Sequence, residues 1–329
     1  MILLTVSTAP WFIRMLCKEG RIASAIDAVV NLMNSRGYRV SSGILYRLLQ
    51  GCIEKKSLRL GRKVHQLIVR SGYVFDAFLG SHLIRMFSEC GSLAEAVEVF
   101  DELPENTVYT WSAVIFAYAK YRQGEEAMKL FSQMQQQSGI VPNVYTIVGV
   151  LKACSSVAIV SQGRLVHALA VEYNISSDMY ICNSLIDMYA KCGELSDAHI
   201  LFDRLEARTM VTWNALLLGY AQHGHGKMAL YIFKQMQRQS LMPDRITFIA
   251  LLKACSTTKT ITSARLVHSY IIEVAYDMDD FIETCLLDVY TKCGDLADAK
   301  NIFDNSLSEH CVVTWNTMIL GYVQGGAVE

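Results

Sequence analysis

A chain of 329 residues with 52% hydrophobic and 19% charged side chains and only 4 prolines has ample core material, which excludes a disordered or low-complexity polymer. A net charge of −1 excludes a strongly basic polyanion binder and leaves open both a neutral protein scaffold and a surface that reads a ligand by shape and hydrogen bonding. Membrane insertion is not expected either: residues 1–6 are too short and lack a basic flank, and the uncharged runs 209–226 and 310–328 each carry Asn and Gln.

In chain order, apolar residues at three- and four-residue steps predict two amphipathic helices, 11–17 and 23–33, on either side of Gly20. A second helical pair follows around 45–49 and 61–68. A third, shorter pair lies around 83–87 and 94–100 and is ended by Pro104. The same triplet starts again at Val108 and once more at Met210. Trp111, Trp213 and Trp315 stand 102 residues apart, and His65, His167 and His268 stand 102 and 101 apart, as do Cys90, Cys192 and Cys293. A sustained period of this kind marks supersecondary units that stack on their neighbours. After a tail, 1–5, the units are 6–41, 42–76, 77–107, 108–143, 144–178, 179–209, 210–244, 245–279, 280–311 and an incomplete 312–329, in one elongated domain.

Each unit is predicted to be a helical hairpin broken by a glycine. Gly91, Gly193 and Gly294 follow a Cys at a helix end, where a left-handed residue is wanted. Pro142-Asn143 and Pro243-Asp244 occupy turns between units. The last unit offers one helix and no second, so an exposed apolar end, as in a fragment, is expected.

The ten cysteines suggest a disulfide or metal set until they are placed on the period. Cys52, Cys154 and Cys255 hold one equivalent position and Cys90, Cys192 and Cys293 another, so equivalent thiols are too far apart to pair and are expected to be reduced core residues. No Cys-x-x-Cys and no His-x-Glu occurs. One His per triplet, with no second ligand near, predicts packed structural residues and no metal or other cofactor.

The stretches Asp187-Met-Tyr-Ala-Lys-Cys-Gly193, Leu151-Lys-Ala-Cys154 and Val211-Thr-Trp-Asn214 resemble the short (S), longer-variant (L) and long (P) signatures of the pentatricopeptide repeat family, in its plant subclass with alternating P, L and S repeats. The tetratricopeptide pattern is the nearest competitor, but its period is uniform. The resemblance covers about 6–329. It implies an all-α, right-handed superhelical α-solenoid of the tetratricopeptide-like class, whose first helices line a groove for single-stranded RNA, one base per repeat.

In the family, base choice depends on one residue just inside the first helix and on the last residue of the repeat. Carried over by position, Asn214 with Asp244 matches the pair that favours uracil, and Ser112 with Asn143 the pair that favours adenine. Asn183 with Thr209 keeps only the first half of a pyrimidine pair. Ser81 with Thr107 and Thr284 with Cys311 depart further, and Asn316 has no partner. The L units place Tyr46, Val148 and Ile249 at the inner position, where no base edge can be read, although Asp76, Asp178 and Asp279 close them. The first unit offers Pro10 and Ser41, and no base specificity is expected of it. Tyr109, Val211 and Val313 stand where the family wedges an apolar side chain between bases.

Blander readings stand beside these. An Asn or Ser opening a helix and an Asp closing a turn are ordinary caps. The wedge residues could simply pack on the preceding unit, and Trp111, Trp213 and Trp315 fit core anchors better than stacking platforms.

The leading expectation is a sequence-specific RNA binder acting on mitochondrial or chloroplast transcripts, for example in selecting sites for cytidine-to-uridine editing. Family members that edit carry a zinc-binding deaminase-like extension. This sequence shows no such motif, so a non-catalytic role with a deaminase or accessory factor in trans is expected. The competing class is a protein-binding α-solenoid, and an enzyme has least support, with no nucleophile–base pair or phosphate loop.

Overall fold

The computed structural model describes residues 9–36, 39–74, 76–137, 139–276, 279–305 and 312–324. Nineteen α-helices and no strand occur among them. They pair in order as α1 (Ala9–Lys18) and α2 (Ile22–Arg36), α3 (Ser42–Glu54) and α4 (Leu58–Arg70), α5 (Ala77–Glu89) and α6 (Leu93–Glu102), α7 (Val108–Lys120) and α8 (Gly124–Gln136), and α9 (Val144–Val157) and α10 (Val160–Glu172). The series continues with α11 (Met179–Lys191) and α12 (Leu195–Arg204), α13 (Met210–Gln222) and α14 (Gly226–Arg238), α15 (Arg245–Thr258) and α16 (Ile261–Glu273), and α17 (Asp280–Lys292) and α18 (Leu296–Asp304), before α19 (Val312–Gln324). This is the all-α array of hairpins that the period predicts. No described helix is long and apolar enough to cross a membrane.

The chain divides into two compact units, Met1–Ile181 and Cys182–Glu329. In the first, α1, α3, α5, α7 and α9 pack in succession as one layer, and α2, α4, α6 and α8 each bridge their own first helix and the next. In the second, α13, α15, α17 and α19 form the same kind of layer, bridged by α14, α16 and α18. A first helix therefore has neighbours on three sides, and its sequence is apolar most of the way round. In α13 every residue from Thr212 to Leu217 is buried.

The thiols at the equivalent positions Cys52, Cys154 and Cys255 are wholly buried. Burial pushes Cys52 and Cys255 up to about 12, so both are neutral small hydrophobes at physiological pH. Nine cysteines are described and none is in a disulfide.

Gly91, Gly193 and Gly294 adopt φ of +103°, +86° and +80°, as their place after a helix predicts. The expectation of a glycine at every break needs correction. The hairpins opened by α3, α9 and α15 turn on Lys56, Ala158 and Lys259, with φ of +47°, +54° and +49°. A left-handed residue with a Cβ costs roughly 1–2 kcal/mol, and packing of the flanking helices offsets it.

A different glycine is required by close approach. A Cβ built on Gly226, the first residue of α14, would lie 2.5 Å from the Ala254 carbonyl oxygen of α15, and the equivalent Gly124 would meet the Ala153 carbonyl at 2.7 Å. Backbone gives way less readily than a side chain. Gly226→Ala is therefore expected to destabilise by about 1–3 kcal/mol, read as a fall in the urea midpoint. Gly43→Ala, on α3 with open space around it, should raise the midpoint slightly through helix propensity. Equal midpoints for Gly226→Ala and the parent chain would mean that α14 and α15 are free to separate.

Candidate functional site

Most of the described joints between hairpins are built around a helix cap. The residue before six of the first helices has extended backbone, and its side chain accepts an N–H from the third residue of that helix: Asp76 from Leu79, Thr107 from Thr110, Asn143 from Thr146, Thr209 from Thr212, Asp244 from Thr247 and Asp279 from Ile282, whereas Ser41 before α3 makes no such bond. The capping reading is thus correct for these six residues. Capping consumes only part of each side chain, however, and the remainder meets the preceding hairpin.

At the joint between α13 and α15, the Asn214 amide Nδ2 lies 3.0 Å from both Asp244 carboxylate oxygens. Two oxygens of one carboxylate are too close together to take one N–H each, so a single N–H points between them. Asp244 Oδ1 also accepts the Thr247 N–H at 2.9 Å. The Thr247 hydroxyl donates to Asn214 Oδ1 at 2.7 Å, with Asp244 Oδ1 a second acceptor at 2.9 Å. Asn214 is only 5% exposed, while Asp244 is half-buried. The second Asn214 N–H and the remaining lone pairs of Asp244 Oδ2 are left as an adjacent donor and acceptor.

The joint between α7 and α9 repeats this arrangement with other groups. Ser112 Oγ stands 2.8 Å from Thr146 Oγ1 and 3.5 Å from Asn143 Oδ1, and it donates to the Val108 carbonyl at 2.6 Å. Asn143 Oδ1 caps Thr146 N–H at 2.9 Å, which leaves its amide Nδ2 without a protein partner among the described residues. In the third case Asn183 and Thr209 are joined through Thr212, whose hydroxyl lies 2.7 Å from Asn183 Oδ1 and 2.9 Å from Thr209 Oγ1.

The weaker pairs behave differently. Ser81 donates to the carbonyl of Phe78 on its own helix at 2.8 Å, and the Thr110 hydroxyl beside Thr107 turns to Asn106. Thr284 bonds the Asp280 carbonyl at 2.8 Å, and its expected partner Cys311 lies outside the described residues. Asn316 is exposed on α19. Where the inner position is Ile249, the closing Asp279 is engaged elsewhere: it caps Phe281 and Ile282 and accepts Arg245 at 2.7 Å.

A row of exposed apolar residues marks the second position of the first helices. Tyr109, Val211 and Val313 are 63%, 62% and 58% exposed, so most of each side chain is open to solvent. Phe78, Tyr145 and Tyr180 in the first unit, and Ile246 and Phe281 in the second, are exposed at the same offset. The sequence reading confined the row to the P units. The signal that finds the rest is the constant distance of three residues before the inner position.

No cluster of three His, Cys, Asp or Glu that could hold a metal ion occurs among the described residues. His268 Nδ1 lies 3.0 Å from the Tyr290 hydroxyl, and His65 sits edge-on to Phe87 with its pKa lowered, mainly by burial. Trp111 and Trp213 are buried anchors, each edge-on to a Phe of the preceding helix. Trp315 keeps that ring contact, with Phe303, yet is 52% exposed, because no described helix follows α19 to cover it.

Comparison with known proteins gives this architecture its family. The PPR repeat family model matches residues 106–156 and 208–257, and the PPR repeat model matches 81–108, 180–209, 284–311 and 313–329. The chain is 32% identical over 309 residues to a chloroplastic pentatricopeptide repeat-containing protein of Arabidopsis thaliana, covering 94% of this chain and 50% of that one. It is 31% identical over 314 residues to a putative mitochondrial one from the same plant, covering 95% and 49%. The chain spans about half the length of these relatives, whose names place them in the organelles expected from sequence. Its fold is similar to the crystal structure of the pentatricopeptide repeat protein PPR10 in complex with an 18-nt psaJ RNA element, with a TM-score of 0.77 at 19% identity over 98% of this chain and 48% of that one. With hairpins, turn chemistry, repeat matches and relatives in agreement, the chain belongs to the pentatricopeptide repeat family.

Proposed function

We propose that this chain binds single-stranded RNA with sequence preference, one base per hairpin, through the joints described above. The observation that carries this reading is the Asn214–Asp244 joint: a buried amide and a half-buried carboxylate held together, with one donor and one acceptor left over. That remainder suits the Watson–Crick edge of a pyrimidine, and with the family resemblance it is assigned to uracil. Ser112 with Asn143 is assigned to adenine. The P, L and S alternation explains the interruptions, since Tyr46, Val148 and Ile249 offer no hydrogen bond at the inner position. We place the protein in the plant organelle pathway of transcript processing, as a non-catalytic selector of sites such as those of cytidine-to-uridine editing, with a deaminase supplied in trans.

The exposed apolar row would equally serve an α-solenoid that holds a peptide, and one experiment separates the two. Selection from random RNA should yield adenine and, three nucleotides toward the 3′ end, uracil, with two poorly specified bases between. Asn214→Thr with Asp244 retained should move the second preference from uracil toward guanine, and a mismatch at either read base should cost about 1–3 kcal/mol of affinity. An unchanged second preference would leave Asn214 and Asp244 as caps, and the peptide scaffold would take the lead.

A further inference from the structure

We infer that the third residue of the following hairpin's first helix, Thr247 for Asn214 and Thr146 for Ser112, is a positioning residue that sets which hydrogen-bonding groups the inner residue shows to its ligand. The inference deepens the RNA-reading proposal and rests on it.

An Asn amide can be turned by half a rotation to exchange its donor and acceptor ends, and only its partners decide which end faces outward. At the α13–α15 joint the Thr247 hydroxyl donates to Asn214 Oδ1 at 2.7 Å, which forces Nδ2 toward Asp244. Thr247 is itself wholly buried, and its Oγ1 accepts the Asp244 N–H at 3.2 Å, so its own rotamer is held. Thr146 meets Ser112 Oγ at 2.8 Å and Asn143 Oδ1 at 3.0 Å in the same way, and Thr212 meets Asn183 Oδ1 at 2.7 Å.

Helix capping alone does not account for these threonines. Helices α5 and α17 start on Asp caps with Leu79 and Ile282 at the third position, so a polar residue there is dispensable for starting a helix. The choice instead tracks the preceding inner residue. Polar Ser81, Ser112, Asn183, Asn214 and Thr284 are followed by Thr110, Thr146, Thr212, Thr247 and Thr314, whereas Tyr46, Val148 and Ile249 are followed by Leu79, Ile181 and Ile282. All eight of these third-position side chains are buried. The threonine hydroxyl meets the inner residue at Ser112, Asn183 and Asn214, whereas Ser81 and Thr284 bond carbonyls of their own helices, so the threonine is a partner where the inner side chain turns toward it.

The test compares base preference at the two read positions in the parent chain, Thr247→Val and Thr247→Ser, by RNA selection, with circular-dichroism melts as the fold control. Thr247→Val, which keeps shape and loses the hydroxyl, should lower the preference for uracil at its own position by about three- to tenfold, the effect of one hydrogen bond. The adenine position should be unchanged, and Thr247→Ser should restore the uracil preference. If Thr247→Val does not fold, Thr146→Val gives the reciprocal result at the adenine position. A folded Thr247→Val chain that still prefers uracil fully overturns the inference and leaves RNA reading intact. Equal weakening at both positions with a lowered melt also overturns it, because that is a structural role only. A parent chain with no base preference anywhere refutes the RNA reading itself, and the inference with it.

Discussion

Trp213→Ala is expected to be among the most destabilising single changes in the chain, at about 3–5 kcal/mol. Trp213 is wholly buried and sits edge-on to Phe202, with ring centroids 4.7 Å apart, and its removal leaves a cavity between α12, α13 and the next hairpin. Trp111→Ala should lose as much, with the indole bond to Gln137 in addition. Trp315→Ala provides the control. It has the same ring contact with Phe303 at 4.8 Å but is half exposed, so about 1–2 kcal/mol is expected from partial burial and the ring pair. Because a repeat array need not unfold in one step, the measurement is the shift of each urea transition rather than one extrapolated free energy. Equal losses at Trp213 and Trp315 would mean that stacking of the next hairpin is not what holds these anchors.

The indole nitrogen of Trp213 adds a second expectation at that site. It is buried without a hydrogen-bond partner, unlike that of Trp111. An unsatisfied donor of this kind costs about 1–3 kcal/mol. Part of the loss of indole volume in Trp213→Phe is therefore recovered, and that change should be far milder than Trp213→Ala.

Much of the fold was legible in the sequence because a hairpin array is local. The residues that end helices, such as Gly193, and those that start them, such as Asp244, act within four positions of themselves, and a period near 102 repeats the message. Trp315 departed from its equivalents for a reason that is not local, since its burial depends on a further helix stacking against α19. The left-handed Ala158 and Lys259 were illegible for the same cause: neither residue type favours that backbone, and the neighbouring helices impose it. In the candidate site, the pairs were legible only through the family resemblance. Their bond to Thr247 or Thr146 was hidden because it joins residues more than thirty positions apart through a capping residue with an evident role of its own.

Replacing Tyr109 and Tyr145 together by alanine is expected to weaken RNA binding by about 2–6 kcal/mol while leaving the fold and the order of base preferences unchanged. The two rings stand at the second position of the consecutive, packed helices α7 and α9, whose joint holds Ser112 and Asn143. Both are about two-thirds exposed, so truncation removes little buried area and makes no cavity. A base at that joint would lie between two aromatic faces, and each stacking contact is worth about 1–3 kcal/mol whatever the base, because every base has a π face. Val211 and Ile246 hold the same places at the Asn214–Asp244 joint but offer no ring, so their double alanine variant should lose clearly less affinity. On the proposed RNA-reading function the joints would divide the work: exposed second positions would supply affinity without discrimination, and buried inner positions discrimination with little affinity. Filter binding of a matched RNA and of its mismatched partners, with circular dichroism on each variant, reads both quantities. A Tyr109–Tyr145 variant that binds as tightly as the parent would place the RNA on another face. One that loses preference for adenine, but not affinity, would reverse the division.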